Sequence, residues 1–332
     1  MKLQYCTLTG VDEHCDLRVI ESLSVSYPLA EWGFLYTPKQ QGLPGRYPSM
    51  AFLSSALAAL PKFVNTALHV CGKGVNELLN EEHNATVLLE LMKLRGGRIQ
   101  LNVNHARKPV DITRLKALMT SCPTVTFITQ HNEANTDLWL ELRDQENHAI
   151  LFDTSGGRGI SPSSWPKPLP LKCGYAGGHS VENIVDHLNA IEHEVLRETI
   201  WIDAEGSLRD VDDNGHDWLN LERCEAMLKA ASAFDQVRHG SPIQEVPMSP
   251  SKAGLIYEVL MASAGAHENR KEAFIANMTG PTPTREWRFG GNLGEGGIFC
   301  RLSMFVDCYP DDLNADRERI IQETNHQLRH LK

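Results

Sequence analysis

An acid that closes an apolar run and is followed at once by glycines is placed to do chemistry. The stretch LFDTSGGRGI at 151–160 has that form, with Asp153 followed by Gly156, Gly157, Arg158 and Gly159. Asp153 either caps the turn that follows or points into a pocket as a general acid or base. In the second reading the glycines let a ligand approach the backbone, and Arg158 meets an anion on that ligand. Other apolar runs end in reactive or hydrogen-bonding residues too. Cys6 and Thr7 end one, Tyr36 another, His69 and Cys71 a third, Asn102 and Asn104 a fourth, and Gln130 and His131 a fifth. The pair Gly177–Gly178 and the acids Asp203 and Glu205 end two more.

The runs that carry these residues are LQYCTL (3–8), EWGFLY (31–36), TALHVC (66–71), RIQLNV (98–103), TVTFIT (124–129), AILFDT (149–154), KCGYAG (172–177) and TIWIDA (199–204). Helix-like patterns lie between several of them, as in 49–60, 111–120 and 181–196, and another helix is expected around 217–234. Strand and helix alternating eight times predict a parallel α/β fold, and the short spacing suits a (β/α)8 TIM barrel over residues 1–237. In that fold the chemistry collects at the C-terminal ends of the strands, where the polar residues above fall. The proline- and glycine-containing stretch 238–254 reads as a linker, and 255–332 as a small α+β domain of its own.

Composition narrows the partners. The chain has 332 residues, 42% hydrophobic and 22% charged, with a net charge of −10 that argues against a general nucleic-acid binder. Eight cysteines show no C-x-x-C spacing, so free thiols are expected rather than disulfides or structural zinc. No run of about 18 apolar residues occurs, and the N-terminus turns polar too early for a signal peptide, so the expected location is the cytoplasm. No cofactor and no metal is assigned. An oligomer through the C-terminal domain stays open.

Four stretches taken together, QYCTLTGVDE, LFDTSGGRG, GYAGGHSVENI and WIDAEGSLR, resemble phosphoribosylanthranilate isomerase, a (β/α)8 barrel, over residues 1 to about 235. The resemblance implies an Amadori rearrangement of an aldose to a ketose. It puts the general base at Cys6 and the general acid at Asp153. It puts the substrate's phosphate on Gly177, Gly178 and the loop after the eighth strand, where Gly206 and Ser207 follow Asp203 and Glu205.

The departures from the family pattern are as informative. Gln4 and Tyr5 precede the cysteine where the family has a lysine, Thr7 follows it in place of glycine, and Arg158 and Ala204–Glu205–Gly206 break two loop motifs. A carboxylate at Glu205 repels a phosphate unless it is protonated or paired with a cation. The expected substrate is therefore a phosphorylated sugar or nucleotide derivative other than the tryptophan-pathway intermediate. Arg46, after the second strand, is either a substrate-anion ligand or surface, and His69, Asn102 and His131 are expected to line the pocket. Two alternatives stay open: a non-catalytic binder of a phosphorylated nucleotide, and a metal-assisted hydrolase or lyase built on His69, His131, Asp153 and Asp203.

Overall fold

The computed structural model describes residues 1–239, apart from 44, 196 and 197. Eight parallel strands close into a barrel in sequence order: β1 (Lys2–Thr9), β2 (Ala30–Tyr36), β3 (Asn65–Cys71), β4 (Arg98–Asn102), β5 (Thr126–His131), β6 (His148–Phe152), β7 (Lys172–Ala176) and β8 (Thr199–Ala204). β8 pairs back onto β1, with Cys6 beside Ile202 and Thr7 beside Asp203. The fold is the expected (β/α)8 TIM barrel. β5 begins two residues later than its apolar run, because Val125 N–H donates to Cys122 O and spends those residues in a turn.

Helices cover the outside: α1 (Leu17–Ser26), α2 (Met50–Ala59), α3 (Lys73–Leu79), α4 (His83–Arg95), α5 (Ile112–Ser121), α6 (Leu138–Glu141), α7 (Ile184–Val195) and α8 (Leu221–His239). Their starts are set by local chemistry. Asp16, Ser49 and Asp111 each accept a backbone N–H of the first turn, and Gly96 in the left-handed conformation ends α4. The helix expected from 217 starts later, because 217–219 are used elsewhere. Arg209–Val211 (β9) and Asp217–Leu219 (β10) form an antiparallel hairpin, and Asn220 then caps α8 by accepting from Glu222 and Arg223 N–H. Among the described residues no helix is long and apolar enough to cross a membrane.

Alternation fails once. Between β6 and β7 residues 153–171 form no helix. Three glycines in left-handed conformations open this segment, and Pro162, Pro166, Pro168 and Pro170 follow, each without a backbone donor and each obstructing a helical turn before it. Trp165 packs from this loop against Tyr175, stacks parallel on His179 and meets His187 edge-on. The linker beyond 239 and the small α+β domain at 255–332, with any oligomer made through it, lie outside the described residues.

The barrel interior carries a charge pair. Arg98 and Glu31 form a bidentate ion pair, and Thr7 joins it by donating to Glu31 at 2.7 Å and accepting from Arg98 at 3.2 Å. The guanidinium lies over the rings of Tyr5 and Trp201, 4.7 and 4.4 Å from their centroids. Trp201 in turn needs Gly174, where a Cβ would lie 2.0 Å from the indole. Ile128, Ala149 and Leu151 complete this packing.

Removing one partner of such a pair leaves a buried charge uncompensated. Glu31→Gln is therefore expected to cost about 3–5 kcal/mol in urea unfolding, while the double replacement E31L/R98M recovers most of it. A loss from E31Q below about 1 kcal/mol, the scale of an exposed pair, contradicts the buried-pair account.

Candidate functional site

The contacts of the interior pair show which residues of β1, β2, β4 and β8 face into the barrel. Successive side chains on a strand take opposite faces, so Tyr5, Thr7 and Thr9 point into the barrel and Cys6 and Leu8 point out. By the same alternation His69 and Cys71 face in from β3, Gln100 and Asn102 from β4, Gln130 from β5, and Asp203 from β8, with Asp153 just beyond β6. A cavity of about 390 Å³ opens at the C-terminal ends of the strands. Its lining includes Arg46, His69, Asn102, Asp153, Gly157, Arg158, Gly177, Gly178, Asp203, Glu205, Gly206 and Ser207, all singled out in the sequence.

Three expected site residues lie elsewhere. Cys6 is fully buried, does not line the cavity and sits on the outer face of β1, within electrostatic reach of Cys224 in α8. Burial, with Asp203 and Glu31 adding to it, pushes its thiol far above the ordinary range. The cavity therefore does not include Cys6, and the residue facing inward at that level is Thr7. His131 also faces outward, its ring edge-on to Phe152 at 5.3 Å, and Gln130 takes the inward place. Gly156 shapes the turn, with φ +64° and its N–H on Asp153 O, without lining the cavity. With His131 turned away, the metal set drawn from the sequence is not assembled, and no cluster of three His, Cys, Asp or Glu suited to a metal occurs among the described residues.

Asp153 is held by three donors. Gln130 Nε2 and Gly157 N–H reach Oδ2 at 3.0 and 2.6 Å, and Ser155 Oγ reaches Oδ1 at 2.9 Å. Gly157 takes φ +85°, a conformation other residues rarely adopt. Among the described residues Asp203 has one donor, Thr9 Oγ1 at 2.7 Å. Burial raises its pKa to about 7; the Thr9 hydrogen bond and Arg98 oppose the rise, and Glu31 and Asp153 add to it.

A chain of ion pairs ties the mouth loops together. Arg46 contacts Glu205 and Asp217, each at 2.5 Å. Arg209 then joins Asp217 to the fully buried Asp12, both at 3.1 Å, and donates to Gly10 O at 2.9 Å. Burial raises the pKa of Glu205 while Arg46 opposes it. Arg46 thus answers the charge of Glu205 from within the protein. Across the cavity, Gly178 packs so tightly on the 159–161 segment that a Cβ would lie 2.6 Å from Ser161 Oγ. Ser207 Oγ donates to His179 O, joining the loops after β7 and β8.

The barrel is similar to phosphoribosylanthranilate isomerases. TrpF from Jonesia denitrificans is 14% identical, with a TM-score of 0.47, over 70% of this chain and 98% of that one. The enzyme from Thermus thermophilus is 16% identical with a TM-score of 0.44, over 69% and 98%, and that from Thermotoga maritima 14% with 0.44, over 69% and 99%. No protein-family model and no curated protein matches the chain. At such identities the function has to be argued from the cavity itself.

Gln100, Gln130 and His179 line the cavity and were not among the site residues expected from sequence. Gln100 was findable as the residue two before Asn102, on the same face of its strand.

Asp203 gives a linkage test. Its folded pKa lies above its ordinary 3.8, so its contribution to stability is complete below that value and is lost as pH rises through about 7. The stability of the native chain relative to D203N should fall between pH 4 and 7.5 in urea unfolding. A flat difference across that window contradicts the assignment.

Proposed function

We propose that the cavity is the active site of an isomerase that converts a phosphorylated aldose derivative to the ketose by general acid/base catalysis. The observation that carries this reading is the pair Asp153 and Asp203 lining one cavity in opposite surroundings. Three donors hold Asp153 as an acceptor, whereas burial keeps a proton on Asp203 to near neutral pH. Two carboxyl groups whose environments divide the roles of acid and base are what an aldose–ketose rearrangement requires.

For a substrate with nitrogen on C1, Asp203 gives its proton to the ring oxygen as the C1–O bond breaks, and the nitrogen lone pair forms C1=N. Asp153 then takes the C2 proton, and the freed electron pair becomes C1=C2 while the nitrogen returns to neutral. Asp153 returns that proton to C1, and the O2 proton passes to Asp203, which leaves a C2 ketone and both acids as they began. This exchanges the roles implied by the family resemblance, in which Asp153 is the acid and Cys6 the base.

The phosphate of the substrate belongs at the end lined by Gly177, Gly178, Gly206 and Ser207, where glycine backbone lets an anion come close. Arg158 is exposed at the rim, and its Nε donates to Ser155 O at 2.7 Å. A volume of about 390 Å³ suits a ligand of this class. Arg46, held by two carboxylates, is a brace for the loops rather than a free anion ligand.

The test is proton exchange in D2O, followed by NMR, with pentose 5-phosphates and their N-glycosides. Deuterium should enter the carbon skeleton with the native chain and with C6A, and should drop at least about 100-fold with D153N or D203N. The rate should fall above about pH 7 as Asp203 loses its proton. Loss of exchange in C6A, or none with any phosphorylated aldose in the native chain, overturns the reading.

A further inference from the structure

His69 faces the cavity from β3, and its two ring nitrogens are treated unequally. Nδ1 is 3.3 Å from Gln100 Nε2, and the same amide nitrogen donates to Asn102 Oδ1 at 3.0 Å. An amide nitrogen only donates, so Nδ1 holds a lone pair and the neutral ring carries its proton on Nε2. Burial keeps the ring neutral, lowering its pKa to about 4, with Arg98 acting the same way and Glu205 and Glu31 opposing. The side chain is 2% exposed, yet Nε2 has no hydrogen-bond partner among the described residues. Buried N–H groups are nearly always paired, and His69 is one of the residues that line the cavity.

We infer that His69 is a catalytic residue whose Nε2–H binds the substrate oxygen on C2, the oxygen that becomes the ketone. This rests on the isomerase reading above. A neutral imidazole is suited to the task because it strengthens its hydrogen bond as charge develops on the oxygen, without giving up its proton. His69 therefore gains and loses no proton in the reaction. Gln100 and Asn102 are positioning residues that fix the tautomer. The cavity then has two unlike ends: an uncharged donor end on β3 and β4 for a carbonyl or enol oxygen, and a glycine-lined end on β7 and β8 for the phosphate.

The experiment uses the full chain with ¹⁵N-labelled histidine, the His69 signals being assigned by their loss in H69Q. At pH 7 the ring should be neutral with its proton on Nε2. Adding 5-phosphoarabinonohydroxamate, a phosphorylated mimic of the five-carbon enediolate, should move that proton downfield. The affinity for this probe should fall about 10- to 100-fold in H69L and less in H69Q, which keeps a donor. A proton on Nδ1, a doubly protonated ring at pH 7, or equal probe binding by H69L overturns the role of His69 and leaves the isomerase reading standing. A native chain that does not take up the probe at millimolar concentration overturns both.

Discussion

The ion pair between Arg98 and Glu31 is the constraint on which the barrel is organised. Barrels of this kind usually fill their interior with branched apolar side chains. Two charges in that space are tolerable only if every polar atom is met, and here Thr7, Tyr5 and Trp201 meet them from two further strands. The demand travels outward, since the indole that covers the guanidinium leaves no room for a side chain at Gly174 on β7. It also travels up the barrel axis. Glu31 and Arg98 act on both His69 and Asp203, so the pair contributes to the protonation states of the cavity above it.

At the mouth the same physics takes a different form. Carboxyl groups there are partly desolvated, and each has its own answer: Asp153 three donors, Asp203 a hydroxyl, Glu205 an arginine. The answer to Glu205 costs the cavity one free cation, since Arg46 is bound between Glu205 and Asp217. It also ties the loop after β2 to the loop after β8, while Arg209 and Asp12 extend the tie to β1. Loop geometry and local charge are thus set by the same side chains.

The eight strands were legible because parallel strands are buried on both faces and read as short apolar runs. That same property hid which face each residue takes. In a half-exposed strand the alternation of polar and apolar residues reveals orientation, but Cys6 and Thr7, or Gln130 and His131, look equally at home on either side. Each expected site residue on a strand that does not line the cavity, Cys6 and His131, misses it by one residue and therefore by a whole face. Asp153, Asp203 and the glycine pair at 177 and 178 were legible because strand ends before glycines have little other use. The interior pair left a trace in the sequence, an acid and a base at the heads of apolar runs at 31 and 98. The missing helix between β6 and β7 was written in the four prolines of 153–171.

That helix-free segment has a thermodynamic consequence. Its first part, 156–159, is rich in glycine, the residue that loses most backbone freedom when held still, and its second part is stiffened by proline and clamped by Trp165 on His179 and His187. The entropy of the segment is thus concentrated at one end, beside the cavity. A ligand gripped by the glycine end should bind with a favourable heat and an opposing loss of entropy, whereas one held only by the far wall should show less of both.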